Sequence, residues 1–588
     1  MKVSTSVAAL VLAAASSVAV IGHQGLMKPP PLSLEEANEQ NAKRDINNVQ
    51  QARQEHPLRI RGTNNIWSAV EPKPRALAKK NDKSPATGST GSKIGQTVFE
   101  QLLDHENPSL GTFKQSYWYN TEFWTGPGAP VVVFTPGETA AAEYTGYLTN
   151  ATITGQFAQA IGGAVVMIEH RYWGDSSPFA ELTTKNLQYL TLANAIADLT
   201  YFARNVKLPF ASNSSSSSNA PQAPWVLSGG SYSGALAAWV ESVDPGTYWA
   251  YHASSAVVEA QGDFWQYFEP IKQGMPQNCS ADVQLVIKHI DDVLRKGTDA
   301  EVQALKSKFG LGSVVHNDDF ANVLVNGPAQ WQNQELYTGY TGIYEFCDYV
   351  ENAIAGVFNS SCSPQTATSP TGVGLKKALN GYAKWTKDIL LPGYCESYGS
   401  YFQGELNTAC MDSHNASNPI YTDLTVDNNL DRQWIWLLCN EPFMYWQTAA
   451  PAGQGSLVSS LVDYDYYQAS CALYFPEEDG YTFGSSSKVG KTPDDVNQYT
   501  GGWSKTNTTR LIWANGQYDP WRDVTVSSDY RPGGPLVSTP EAPVNVIPGG
   551  IHCTDLIYKN ALADADVMAV VLDEISVIKG WVDDFYKQ

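Results

Sequence analysis

The sequence predicts an α/β fold: a mostly parallel sheet flanked by helices and interrupted by a helical, disulfide-braced insertion. Three observations carry that prediction. Between residues 94 and 275, continuous β-branched runs alternate with helix-like segments, the pattern of strands buried on both faces and joined by crossover helices. From about 276 to 450 the character changes, and helical stretches and most of the cysteines collect there. Strand-like segments then return before the C-terminus.

Taken in order, the chain begins with "MKVSTSVAALVLAAASSVAVIG", one Lys and a short apolar run ending in small residues. That is the form of a secretory signal peptide, expected over 1–19, and it is too short for a membrane span. Residues 20–93 are poor in aromatics and rich in Glu, Asn, Gln, Lys and Pro. They cannot bury enough apolar surface to offset their ordering entropy, so a propeptide or linker is expected. Lys43-Arg44 and Lys79-Lys80 are dibasic pairs open to a processing protease.

The first α/β part is expected over 94–275. "TVFEQLLDHENPSLGTFKQSYWYN" alternates apolar and aromatic positions as paired strands do, and "APVVVFTPGE" and "GGAVVMIEHRYWGDSSPF" read as buried strands. "LTLANAIADLTYFARNV" reads as a helix, and "SNSSSSSN" at 212–219 as a surface loop before the next strand. In the insertion, expected over 276–450, "SADVQLVIKHIDDVLRKG" places Val283, Val286, Ile287, Ile290, Val293 and Leu294 on one helix face. Ser280 is its expected N-cap, and Gly297 lies past its end. The second α/β part, 451–588, holds strand-like "TRLIWANG" and "APVNVIPGG" and closes on the amphipathic "DVMAVVLDEISVIKGWVDDFYK".

Composition narrows the partners. The net charge of −21 argues against nucleic acid and anionic membranes, which demand clustered Lys and Arg. A sequence pI of about 4.8 fits an acidic working pH, where self-repulsion among the carboxylates falls. Acceptor sequences for N-glycosylation stand at Asn150, Asn213, Asn278, Asn359, Asn415 and Asn507, and they matter only along the secretory route. The eight cysteines lie between Cys279 and Cys553 with no CxxC spacing for zinc, so disulfides are expected, of a connectivity that spacing does not decide. No metal or organic cofactor is implied. A secreted protein, or one of a vacuolar or lysosome-like compartment, is expected.

The chemistry is carried by "WVLSGGSYSGALAAW", residues 225–239. Strand, serine, helix is the layout of a nucleophile elbow, whose sharp turn needs small residues two before and two after the nucleophile. Ser231 has Gly229 and Ser233 there; Ser233 would have Ser231 and Ala235, with no glycine. Ser231 is therefore the expected nucleophile. A serine hydroxyl needs a base and a group to orient that base. In α/β-hydrolases these follow in the order Ser, Asp or Glu, His, on loops after late strands. "RLIWANGQYDPWRD" supplies Asp519 and "VNVIPGGIHCTDL" supplies His552. Asp523 and Asp555 are competing acids farther from a strand end, and His252, His289, His316 and His414 precede the late strands. The oxyanion hole is expected from the backbone N–H of Tyr232 and from the loop around Gly137 and Glu138.

These segments, with "FEQLLDHENP", "HASSAV", "RQWIWLLCNEPFMYWQ", "NGQYDPW" and "HCTDL", together resemble the serine peptidases that include lysosomal prolylcarboxypeptidase, dipeptidyl peptidase II and the fungal acid prolyl endopeptidases. The resemblance runs from about residue 97 to the C-terminus. It implies an α/β-hydrolase domain with a helical domain inserted over the active site, and cleavage after proline, usually at acidic pH. Its nucleophile, acid and base fall on Ser231, Asp519 and His552. A proline ring calls for an apolar or aromatic slot, for which Trp521 is the first candidate, with Trp446 and Met444 behind it. Cys553 stands where the carboxypeptidase branch has a second His, and "LLCNEPF" and "HCTDL" are closer to the fungal branch. Endopeptidase action on proline-containing peptides or proteins is thus the first expectation. A Pro-Xaa carboxypeptidase or dipeptidyl peptidase, a non-catalytic binding relative, and a lipase or esterase are the alternatives. An imidazole beside a carboxylate normally has a raised pKa, which stands in tension with acid activity.

Overall fold

The computed structural model describes residues 93–211, 218–354, 372–398, 400–428 and 431–588. The expected leader, nearly all of the 20–93 segment, Asn213, Asn359 and Cys362 lie outside the described residues.

Eight strands form the main sheet: β1 (Ile94–Leu102), β2 (Thr112–Asn120), β3 (Val131–Phe134), β4 (Ala164–Ile168), β5 (Trp225–Gly230), β6 (Ala250–Ser254), then β9 (Leu511–Gly516) and β10 (Val544–Ile547), with β7 (Gln261–Asp263) and β8 (Met444–Trp446) paired separately. The order across the sheet is β1-β2-β4-β3-β5-β6-β9-β10. The hairpin β1/β2 is antiparallel, β2 meets β4 antiparallel, and every other pair is parallel. This is an α/β-hydrolase sheet, and it puts the ends of β3, β5, β9 and β10 on one edge, where ligands of such sheets bind.

Both faces of the central strands are buried. Val131 and Val133 join Leu227 and Trp225 in the core under helices Leu192–Asn205 and Tyr232–Val243, while Val132 and Phe134 face helices Ile153–Ile161 and Ala565–Phe585. The period-two alternation of a strand explains the split. Thr191 caps its helix by accepting from the Asn194 N–H, and Asp564 caps the last helix by accepting from Asp566 and Val567. Arg171 fastens the hairpin to the sheet: its guanidinium donates to Asp198 at 2.7 and 2.5 Å and to the carbonyls of Leu102, Leu103 and Tyr189.

The chain leaves the main sheet after Ser254 and rejoins it at Leu511, and helices dominate the stretch between. Helix Gln277–Lys296 buries Val283, Val286, Ile287, Ile290 and Leu294, with Val293 half-buried. It starts one turn earlier than the Ser280 cap suggests, directly after Pro276, whose fixed φ suits the entry to a helix. Disulfides Cys279–Cys347, Cys395–Cys410 and Cys439–Cys471 brace this cap. The last joins helix Arg432–Asn440 to helix Tyr464–Tyr474. Cys553 remains a buried thiol. The cap is held to the α/β layer by buried donors: Arg432 to the Leu182 carbonyl at 2.8 Å and the Trp436 indole to the Leu190 carbonyl at 2.9 Å.

Candidate active site

Ser231 occupies the turn between β5 and helix Tyr232–Val243, with φ 58 and ψ −128. A side chain rarely adopts that conformation, and a sharp strand-to-helix reversal requires it. Its neighbours explain the small residues. A Cβ on Gly229 would come within 2.1 Å of the Ser233 carbonyl oxygen, and one on Gly234 within 2.5 Å of the Ser254 carbonyl oxygen. Both clashes are with backbone, so neither site has room for alanine. Ser233 is the second serine of the motif and is turned inward, donating to the Gly230 carbonyl at 2.9 Å. The Ser231 N–H donates to Ser254 O at 2.9 Å, which fixes the elbow to β6.

The loops after β9 and β10 bring Asp519 and His552 together. His552 Nδ1 lies 2.9 Å from Asp519 Oδ1, and that oxygen also accepts from the Trp521 N–H at 2.9 Å. Asp519 is fully buried, and Ser231 and His552 are barely exposed. His552 Nε2 makes no hydrogen bond within the protein, which leaves it available to a hydroxyl proton. Burial works against the charged imidazolium. The Asp519 carboxylate and the neighbouring Cys553 sulfur outweigh it and hold His552 well above the ordinary imidazole range. Burial also raises the Cys553 thiol.

The competing acids are occupied elsewhere. Asp523 is engaged by Ser528, and burial raises it to about 6. Asp555 accepts from Ser254 Oγ at 2.6 Å and faces His252. His316 and His414 stack on each other in the cap, and His289 is half-buried in a cap helix.

Gly137 follows β3 with φ 75, and its α-carbon faces the elbow: a Cβ there would stand 3.4 Å from Ser233 and 3.5 Å from the Tyr232 ring. The Tyr232 N–H heads a helix, so it has no acceptor within that helix. Sequence reasoning missed the group that shapes this loop. Glu169, at the end of β4, accepts from the Ala141 N–H at 2.9 Å and Ser176 Oγ at 2.6 Å, and burial raises it to about 7. An isolated Glu between a buried strand and "HRYWGD" was its only signal.

A family model described as "Serine carboxypeptidase S28" matches residues 101–572. The chain belongs to this family. The S28 peptidase is 42% identical over 493 residues to the serine protease vicPa of Bipolaris victoriae, covering 84% of this chain and 89% of that one. Serine protease vicPb of the same organism is 40% identical over 501 residues, covering 85% and 91%. A protein of Arthroderma benhamiae named "Probable extracellular serine carboxypeptidase" is 29% identical over 527 residues, covering 86% and 69%.

Beside His552 the S28 peptidase carries an aromatic cluster. Trp521 lies 6.3 Å from the imidazole, ring centre to ring centre, and packs against Phe264, Tyr267 and Tyr445 at 5.6, 5.4 and 5.6 Å. Gln332, from the cap, accepts from the Trp521 indole at 2.7 Å and the Tyr267 hydroxyl at 2.8 Å. Trp446 instead stacks on Tyr467, and Met444 meets the Tyr464 hydroxyl. The residue between them, Tyr445, is the one that reaches Trp521, a direction that periodicity could not give because Met444 and Tyr445 both have positive φ.

Proposed function

We propose that this S28 serine peptidase is a secreted endopeptidase that cleaves on the carboxyl side of proline, with Ser231 as nucleophile, His552 as base and Asp519 as the group that orients it. The observation that carries the reading is the Asp519–His552 hydrogen bond of 2.9 Å on the sheet edge where the Ser231 elbow stands. In the acylation step Ser231 Oγ attacks the scissile carbonyl as its proton passes to His552 Nε2, which then protonates the leaving amine. Water repeats the sequence on the acyl-enzyme. The Tyr232 N–H and the Gly137–Glu138 loop receive the oxyanion.

The aromatic group of Trp521, Tyr445, Phe264 and Tyr267 forms the proline slot in this reading, because a rigid apolar ring gains most against flat aromatic faces. A carboxypeptidase would in addition need a cation for the substrate's terminal carboxylate. Arg171 is not such an anchor, since its buried guanidinium donates to Asp198, Leu102, Leu103 and Tyr189. Secretion is supported by the leader and by the exposed acceptor sites Asn415 and Asn507, with Asn150 and Asn278 half-buried. No described helix is long and apolar enough to cross a membrane. In this reading any acid adaptation acts through stability rather than through the base, since Asp519 raises His552.

The test is mass spectrometry of products from an end-blocked peptide with an internal proline, wild type beside Ser231→Ala. Cleavage after proline that vanishes in the variant is expected. Trimming of free peptides alone would assign an exopeptidase, and activity surviving in the variant would overturn the nucleophile.

A further inference from the structure

Beneath the catalytic loops, on the face of the sheet covered by the last helix, three ionisable side chains converge: His252 of β6, Asp555 just after His552, and Glu574 of helix Ala565–Phe585. All three are at most 1% exposed. Glu574 sits in the middle of the helix's buried stripe, between Val571 and Ile578, where the spacing calls for an apolar residue.

Their hydrogen bonds divide into outer and inner atoms. Outside, His252 Nδ1 is 3.0 Å from Ser228 Oγ, and Asp555 Oδ1 accepts from Ser254 Oγ at 2.6 Å. The His252 ring is also held edge-on to Phe157 at 5.2 Å. Inside, His252 Nε2, Asp555 Oδ2 and both Glu574 oxygens make no hydrogen bond, although one ligand atom from each residue lies within 4.8 Å of the other two, and the Asn545 side chain also faces Glu574. Nε2 stands 3.3 Å from Asp555 Oδ2 and 3.8 Å from Glu574 Oε2. Among the described residues, no lysine or arginine forms an ion pair with either carboxylate.

Two buried acid side chains facing an imidazole, with these inner atoms unpaired, are costly unless something positive lies among them. Donors about 2.0–2.2 Å from a tetrahedral ion stand about 3.3–3.6 Å apart. The 3.3 Å spacing matches that geometry, and the 3.8 Å spacing needs a shift of a few tenths of an ångström. Outer partners that fix ring tautomer and carboxylate orientation are what ligating His and Asp side chains carry.

We propose that His252, Asp555 and Glu574 form a structural site for one divalent transition-metal cation, zinc foremost. The ion takes His252 Nε2, Asp555 Oδ2 and Glu574 Oε2, and its two positive charges balance the two carboxylates. It ties the C-terminal helix to β6 and to the segment that follows His552. It takes no part in peptide-bond cleavage, so this proposal stands independently of the one above.

The experiment is metal content by inductively coupled plasma mass spectrometry on the purified full-length protein after exhaustive dialysis against EDTA. Glu574→Gln and Asp555→Asn, which keep side-chain volume, are run beside the wild type, with His414→Ala as control. The control addresses the half-buried His316 and Asp318 with the exposed His414, the other cluster of possible ligands. The expected result is about one equivalent of a divalent cation in the wild type and control, below about 0.1 in the two amide variants. The amide variants should also melt at lower temperature, with no gain on adding zinc. If they do not fold, the wild-type content decides alone. Active wild type with less than about 0.1 equivalent overturns the site, as does an amide variant that keeps the metal.

Discussion

Asp519 holds His552 from behind: Oδ1 lies 2.9 Å from Nδ1 and takes the Trp521 N–H through the same atom. The carboxylate is thus fixed by its own loop before it fixes the imidazole. Asp519→Asn, which cannot favour the same tautomer, is expected to lower kcat by about 10⁴-fold with KM little changed. Asp523→Asn should stay within about threefold of wild type, since Asp523 bonds Ser528 instead. Steady-state kinetics on a proline-containing substrate reads both.

The two serines of the elbow should separate cleanly. Ser231→Ala is expected to remove activity, and Ser233→Ala to retain most of it, because Ser233 only donates to the Gly230 carbonyl. Gly229→Ala should give little soluble protein, since its Cβ would meet backbone at 2.1 Å. Expression yield and active-site titration distinguish these outcomes.

Removing the Trp521 ring should cost specificity before chemistry. Trp521→Ala is expected to reduce kcat/KM for a proline substrate by about 10–200-fold relative to an alanine substrate. Gln332→Ala, which frees the indole and the Tyr267 hydroxyl from their shared acceptor, should give a weaker loss in the same direction. Equal losses on both substrates would remove the slot from this part of the structure.

Activity and stability should respond to pH in opposite directions. The proposed base His552 is raised by Asp519 against the effect of burial and would act in its neutral form, so kcat/KM should climb with pH on a limb centred above the ordinary imidazole range. Asp519→Asn should move that limb downward. Glu169, Glu335 and Glu351 are raised to about 7 and Asp523 to about 6, each by burial first. The folded state therefore holds protons that the unfolded chain releases near pH 4. That stability is fully present below pH 4 and lost as pH rises through 6 to 7. His170, lowered to about 4 by burial, acts in the opposite sense as pH falls from the imidazole range. Thermal melts from pH 4.5 to 8 should show the melting temperature falling by several degrees.

The longest disulfide-closed loop among the described residues runs from Cys279 to Cys347, a separation of 68. Replacing both with Ala is expected to destabilise the cap by about 2–5 kcal/mol. The replacement for Cys395–Cys410, separated by 15, should cost less. Denaturant unfolding of each variant measures the difference.

Much was legible in the chain because local rules govern it. Buried parallel strands need continuous β-branched runs, and "VVVF", "AVVMI" and "LIWANG" fell on β3, β4 and β9. The elbow was legible because a backbone reversal tolerates only small neighbours, as Gly229 shows. Chain order after the late strands singled out Asp519 and His552, which the fold places in hydrogen-bond contact.

What spacing could not reach depends on which distant segments share a sheet edge or a face. Cysteine pairing, the choice of Tyr445 over its neighbours, the grip of Glu169 on the Ala141 N–H and the meeting of His252, Asp555 and Glu574 all join residues far apart in number. Period and propensity act over a few residues, whereas these contacts arise only when the sheet order and the cap set the chain's long-range neighbours. The sequence alone determined most strands of the main sheet, the elbow and the candidate triad; tertiary packing decided β6, the small β7/β8 pair, the pocket, the electrostatics and the buried charge cluster.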